Sequence, residues 1–280
     1  MAASVVTDPM TSIRVLTEPS VYLLSKQTLV PGELDRFLAD HGVSWQSDSE
    51  IAAEVVTETA GRVCYMSFAK PRPGGNSAYL THIKEVGHGS VFEHAVWSFL
   101  LTGVSRSLTH ELVRHRAGWA YSQLSQRYVD ESVAEYVEPD IIANDPELHA
   151  LWLDAVNHAH AAYVKLADLL NTKLADPSAA TAAMLPSNAD RTTRRKTARQ
   201  AARSVLPNAT ETKITVTANA RALRHFLEQR GSQYAEPEIR KLTNVMLDVL
   251  QADSPNLFGD YKKVPLPDGT FELVTEYKKV

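Results

Sequence analysis

The chain has 280 residues, 44% hydrophobic and 22% charged, with Cys64 as its one cysteine. That length allows one large domain or two small ones and a core that needs no covalent staple, while one cysteine excludes an intrachain disulfide and any zinc or iron–sulfur site built on several thiolates. The net charge of −4 is unevenly placed: residues 104–128 carry Arg106, Arg114, Arg116 and Arg127 against Glu111, residues 191–230 carry ten Lys/Arg against Glu211 and Glu228, and these segments hold +11 against −15 elsewhere. Such focusing points to an anion site rather than a generally basic surface. No apolar run reaches the roughly 18 residues of a membrane span. The first 20 residues lack a basic region followed by an apolar one, so a cytoplasmic protein is expected.

Residues 1–30 show no sustained periodicity and read as a lead-in with one strand near 13–16. Residues 31–41 predict a short helix stopped by Gly42. Ser47 and Glu50 have capping-box spacing before a helix marked by Ile51, Val55 and Val56. A loop is expected over 71–75, and Asn76 is expected to cap the helix that follows. The run AVWSFLL, 95–101, reads as a buried strand. A helix is expected over 105–116 and a second strand over 126–129. Asp145 and Pro146 mark a strong helix start, running to about Leu174 with Leu148, Leu151, Trp152, Ala155, Val156, Ala159, Ala162, Tyr163 and Leu166 as its buried stripe. A loop or broken helix over 176–193 precedes a helix over 194–205. A strand at 211–219 and helices at 220–230 and 237–252 complete the ordered part, with 254–280 a mixed tail. The pattern is α/β (α+β mixed), helices dominant. It is divided as a lead-in (1–30), one catalytic domain (31–255) and a tail (256–280).

His110 and His115 evoke a zinc-protease helix, but that motif needs histidines four apart and these are five apart, about 140° around the helix. His158 and His160, two apart, point in different directions and read as surface residues; no metal site is expected. No G-x-G-x-x-G or Walker loop is present, so arginines must hold any phosphate. Cys64 reads as a buried small hydrophobe rather than a nucleophile. The segment RHRAGWAYSQLSQRY, from Arg114 to Tyr128, packs many hydrogen-bonding groups beside an apolar strand. Burying them without a bound partner is costly.

This segment resembles the signature of flavin-dependent thymidylate synthases: Arg-His-Arg, a spacer, Ser, then Arg-Tyr. His88-Gly-Ser90-Val-Phe-Glu93-His94, Arg203-Ser-Val-Leu-Pro207, Asn219-Ala-Arg221 and Arg230 resemble the same family in order and spacing. The resemblance covers residues 75–250. It implies a homotetramer with active sites at subunit interfaces, FAD as cofactor, and NADPH and methylenetetrahydrofolate as cosubstrates. It implies C5-methylation of dUMP to dTMP. Gln123, Ser125, Arg127, Arg203 and Arg106 would hold the nucleotide, with Tyr128 lining its wall. His88, Ser90, Glu93, Arg114, His115, Arg116, Asn219, Arg221 and His225 would hold FAD. Arg230 would polarise the pyrimidine, since a guanidinium beside O2/N3 stabilises charge developing in the ring, and Ser125 would orient it. The family needs no enzyme thiol, in agreement with the reading of Cys64. The two basic segments are expected to be halves of one pocket, contributed by different subunits.

Three features depart from the family pattern. Eight residues separate Arg116 from Ser125 instead of seven, with the extra residue within 117–120. Tyr234 stands where a histidine is usual. Roughly 30 residues precede the first matched element. An altered spacer leaves open UMP as substrate, as in relatives that make 5-methyluridine nucleotides for nucleoside antibiotics, since one hydroxyl needs only a small adjustment. A different class, a single-stranded nucleic-acid surface with Trp119, Tyr121 and Tyr128 as stacking platforms, is disfavoured by the acidic remainder of the chain. Nucleic acid and membrane are not expected partners.

Overall fold

A computed structural model describes residues 5–7, 13–69 and 73–280. Most of residues 1–12, and Pro71 with Arg72 of the expected 71–75 loop, lie outside the described residues. In chain order the elements are β1 (Val5–Thr7), β2 (Arg14–Leu16), β3 (Ser20–Lys26), α1 (Glu33–Asp40), α2 (Ala52–Tyr65), α3 (Gly75–Glu85), β4 (Val96–Ser105), α4 (Arg106–Leu112), β5 (Trp119–Gln123), β6 (Glu135–Val137) and α5 (Asp140–Ala143). They continue with α6 (Pro146–Ala175), α7 (Arg191–Ala202), β7 (Glu211–Asn219), α8 (Ala220–Arg230), α9 (Pro237–Asp253), α10 (Pro255–Phe258), β8 (Lys262–Pro265) and β9 (Phe271–Val274). The fold is mixed α/β, and no helix among the described residues is long and apolar enough to cross a membrane.

The chain divides into two interleaved compact units. Unit 1 comprises residues 1–18, 102–110 and 123–214, and unit 2 comprises 19–101, 111–122 and 215–280. In unit 1, β2 pairs antiparallel with β1 and parallel with β6, Val15 opposite Tyr136. Ile13, Val15 and Tyr136 meet Leu153 and Val156 of α6 in one cluster, with Trp152 partly buried against it. The Asp145 carboxylate caps α6 by accepting the N–H groups of Glu147 and Leu148. Asp190 caps α7 in the same way, so that helix begins three residues before the expected 194.

In unit 2, α8 and α9 bury Leu223, Phe226, Leu227, Leu242, Met246 and Leu250. A four-stranded sheet has the order β3-β4-β7-β5, and the division between units cuts β4 after Leu101 and β7 after Ile214. The residues read as a mixed tail form α10 and the β8/β9 hairpin, and they bring Asp260 into the interior of unit 2. Its carboxylate accepts a two-pronged pair from Arg224 at 2.8 Å each and a third bond from Lys84 at 2.9 Å. Burial alone would raise the Asp260 pKa, but the Arg224 fork and Lys84 hold its carboxyl well below the usual carboxylate range.

Several local expectations are corrected. The capping box at Ser47 and Glu50 does not form: α2 starts after Ile51, and the Ser47 hydroxyl donates to Glu58 instead. Asn76 lies inside α3 rather than capping it. Its side chain is committed to Glu54 and Glu58, and the Asp48 carboxylate accepts the Asn76 N–H at 2.7 Å. The strand expected at 126–129 is β5, seven residues earlier, because Tyr128 and Val129 return their N–H groups to the Ser125 carbonyl in a turn. The buried stripe of α6 is only partly as expected: Val156 and Tyr163 are buried, but Leu148, Leu151 and Leu166 are exposed and Leu153, outside the expected stripe, is buried. Cys64 is exposed rather than buried, since α2 turns Val55, Thr57, Glu58 and Arg62 inward. His160 is half-buried, and its Nδ1 lies 2.9 Å from the Tyr136 hydroxyl.

Candidate active site

The Arg-His-Arg motif sits where α4 ends. Arg114 and His115 donate their N–H groups to the carbonyls of Glu111 and Leu112. The Tyr121 hydroxyl of β5 folds back and donates to the carbonyls of His115 at 2.6 Å and Leu112 at 2.9 Å. The chain reaches β5 through Gly118, whose left-handed φ of +74° and close approach to Asn219 and Ala222 leave no room for a side chain. Asn219 in turn caps α8 by accepting the Ala222 N–H.

Within unit 2 these turns build a cavity of about 400 Å³. Arg114, His115, Arg116, Trp119, His225 and Arg230 supply its side-chain chemistry, and none of the described residues lining it is acidic. Arg230 Nε–H donates to His115 Nε2 at 3.1 Å, and Arg230 Nη1 donates to Glu111 at 2.5 Å. Accepting that bond fixes His115 as a neutral ring protonated on Nδ1. Burial, reinforced by Arg230 and His225, pushes the His115 pKa down to about 4. The Glu111 carboxyl is shifted upward by burial and by Glu236, with Arg230 opposing. His115 is boxed edge-on by Phe226 at 5.2 Å and His225 at 5.8 Å. Trp119 stacks parallel on Tyr121 at 5.7 Å, so the two rings face each other.

The remaining residues expected to hold FAD fall elsewhere in unit 2. Glu93 pairs with Arg221 at 2.5 Å. His88 and Ser90 lie at the exposed start of the 3-10 turn over Gly89–His94, against which Arg221 also packs. Tyr234 is 91% exposed and takes no part in the cavity.

The residues expected to hold nucleotide, Arg230 apart, fall in unit 1. Gln123 donates to the hydroxyls of Thr109 and Thr212. Ser125 Oγ accepts the Arg127 N–H, and no general base among the described residues is bonded to it. The Arg127 guanidinium is held by Gln200 at 2.9 Å, and Tyr128 is exposed between Arg127 and Lys196. Arg106 has a buried Nη1 without a hydrogen-bond partner, as do Oε1 of Glu131 and Nε2 of Gln126. Burial lowers the Arg106 pKa and nearby Arg203 adds to it, while Glu131 opposes. The Glu131 carboxyl is pushed up to about 7, mainly by burial.

Sequence reasoning missed Glu111, which holds Arg230, Gln229, which lines the cavity, and Glu131. The signal for Glu111 was a carboxylate one helical turn before Arg114. Glu131 gave no signal, because only burial makes it unusual.

Comparison with known proteins adds independent support. Residues 48–256 match the family described as thymidylate synthase complementing protein. The flavin-dependent thymidylate synthase of Mycolicibacterium gilvum is 50% identical over 236 residues, covering 84% of this chain and 89% of the relative. The Corynebacterium diphtheriae enzyme of the same name is 42% identical over 260 residues, covering 91% and 98%. The crystal structure of the UMP/dUMP methylase PolB from Streptomyces cacaoi, bound with 5-Br dUMP, has a similar fold. Its TM-score is 0.59 at 19% identity, over 88% of this chain and 95% of that one.

Proposed function

Because the chain belongs to the family of flavin-dependent thymidylate synthases, we propose that it is a methyltransferase converting dUMP to dTMP. The carbon donor is methylenetetrahydrofolate, and NADPH is the reductant of bound FAD. The observation that carries this reading is the triple contact of His115, Arg230 and Glu111 beside a cavity lined by arginine, histidine and tryptophan without a carboxylate. That donor set fits an anionic, aromatic cofactor: fixed guanidiniums complement phosphate and reduced-ring charge, and Trp119 gives an apolar wall. Arg114, Arg116, His115 and His225 would hold the flavin, with Asn219, Arg221, Glu93, Ser90 and His88 contributing from the neighbouring turn. When bound, the flavin supplies hydride transfer, and the protein supplies position and field.

The chain's own residues have defined tasks. His115 and Glu111 use the Nε–H and one Nη1–H of Arg230, which leaves its Nη2 amino group for O2/N3 of the pyrimidine. Neutral His115 fixes the guanidinium plane without adding charge, and Glu111 limits the net charge of the site. Arg106, Arg127 and Arg203 would neutralise the nucleotide phosphate, with Gln123 and Ser125 orienting the base. A cytoplasmic homotetramer is the expected working form. Leu148, Leu151, Leu166 and Leu169 are exposed along α6, an apolar surface of the kind an assembly covers.

Tritium release from 5-tritiated dUMP and from 5-tritiated UMP, assayed in parallel at equal concentration with reduced FAD and folate, tests the reading. Faster tritium release from dUMP is expected; release from UMP alone would shift the substrate to the ribonucleotide. Release from neither, together with a colourless purified protein, would remove the assignment.

A further inference from the structure

Unit 1 contains a second cavity, of about 740 Å³, that the proposed reaction does not use. None of Arg106, Gln123, Ser125, Arg127 or Arg203 lines it. Ala198 and Ala202, both fully buried, mark the side of α7 turned inward. Arg191, Arg194, Arg195 and Arg199 of α7 line the cavity, facing Val164, Ala167 and Asn171 of α6. Spacings of three and four residues put these guanidiniums on one helix face, where like charges destabilise the helix unless something offsets them. Arg199 is offset, by the Asp130 carboxylate at 2.7 Å and the Tyr128 carbonyl at 2.7 Å. Arg191, Arg194 and Arg195 form no ion pair among the described residues, and Arg194 donates only to the Ala189 carbonyl. The lining therefore holds four guanidiniums against two carboxylates, Asp130 and Asp168. The volume falls in the small-ligand range of roughly 300–1,000 Å³, and the walls from α6 bound it on one side.

We propose that this cavity is a binding site for a small polyanion carrying two or more closely spaced phosphate or carboxylate groups. Arginine forks at successive turns match such spacing, since each presents paired donors to one anionic group. Asp168, on the opposite wall, disfavours a long continuous polyanion such as a nucleic-acid backbone and favours a discrete molecule. Resting on the functional reading above, two cosubstrates carry this chemistry: the phosphorylated nicotinamide dinucleotide and the glutamyl chain of folate.

The test is calorimetric titration of inorganic pyrophosphate into holoenzyme saturated with FAD and dUMP, so that the phosphate sites of the reaction are filled. One saturable site per chain is expected, roughly tenfold weaker in R194Q/R195Q, as loss of charge-assisted bonds implies, and intermediate in R194K/R195K, which keeps charge without the fork. R191Q/R195Q replaces the first variant if its thermal midpoint shows it to be unfolded. Equal pyrophosphate affinity in wild type and the glutamine variant overturns the proposal. So does a raised KM for dUMP in that variant, because the cavity would then belong to the nucleotide site. A raised KM for NADPH but not NADH identifies the dinucleotide as the ligand; a raised KM for polyglutamyl but not monoglutamyl folate identifies the glutamyl chain. If wild type methylates neither nucleotide yet binds pyrophosphate, the functional reading fails and the cavity assignment stands.

Discussion

Two sets of arginines, one in each unit, are held differently. In unit 2, Arg230 is bonded to His115 and Glu111, Arg221 to Glu93 and Arg224 to Asp260, so each guanidinium is oriented before any ligand arrives. In unit 1, Arg199 is paired with Asp130, but Arg106 keeps a buried Nη1 without a hydrogen-bond partner, and Arg191, Arg194 and Arg195 form no ion pair among the described residues. An oriented guanidinium suits a site that must place charge at a defined atom of a reacting ring. An under-neutralised set suits a site whose ligand brings the missing negative charge. The contrast teaches that one positive count along the chain covers two electrostatic tasks.

The largest effect should come from breaking the paired arrangement in unit 2. Asp260→Ala leaves Arg224 and Lys84 buried without their shared carboxylate and should lower stability by about 3–5 kcal/mol, the range for an orphaned buried charge. Urea unfolding measures it; a loss below about 1 kcal/mol would mean that water reaches the cluster. Next, Arg230→Ala should reduce methylation about 10²–10³-fold, as for loss of one preorganised electrostatic donor. Flavin absorbance should be largely retained, and its disappearance would assign Arg230 to flavin binding instead.

On the unit 1 side, Arg127→Ala should weaken dUMP binding by about 1.5–3 kcal/mol, the range for a charge-assisted bond, with flavin content unchanged. An unaltered dissociation constant takes Arg127 out of the phosphate site. The smallest effect concerns His115, whose folded pKa of about 4 lies below the ordinary histidine value. Between about pH 4 and 6.5 the unfolded chain binds a proton that the folded chain does not, so this group makes stability rise with pH across that window. His115→Asn, which keeps an acceptor for Arg230, should flatten that rise by about 1–2 kcal/mol after allowance for partial exposure. Unfolding measured at pH 4.5 and pH 7 checks it; equal slopes would show that His115 does not titrate as inferred.

Much of this was legible in the chain because it is written locally. Asp145-Pro146 starts α6 and the alternating ETKITVTAN forms β7, since a cap and a period-2 pattern act over a few residues. The family motifs are local too, so Arg114, His115, Arg116 and Arg230 stand out in the chain itself, and the fold brings them to one cavity. Other features depended on partners far along the chain. Ser47 prefers Glu58 to a cap, the face of α6 is set by Tyr136 and Ile13, and the tail is ordered by a carboxylate that meets Arg224 36 residues earlier.

The sequence by itself determined the family, the start of α6 at Asp145-Pro146 and the arginine-rich segments, because motif spacing and capping act over a few residues. The tertiary structure decided which arginines are paired and which are not, the neutral state of His115, the burial of Glu131 and the cavity between α6 and α7. Each of these depends on what distant residues bring within a few ångströms, and on how much water that packing removes.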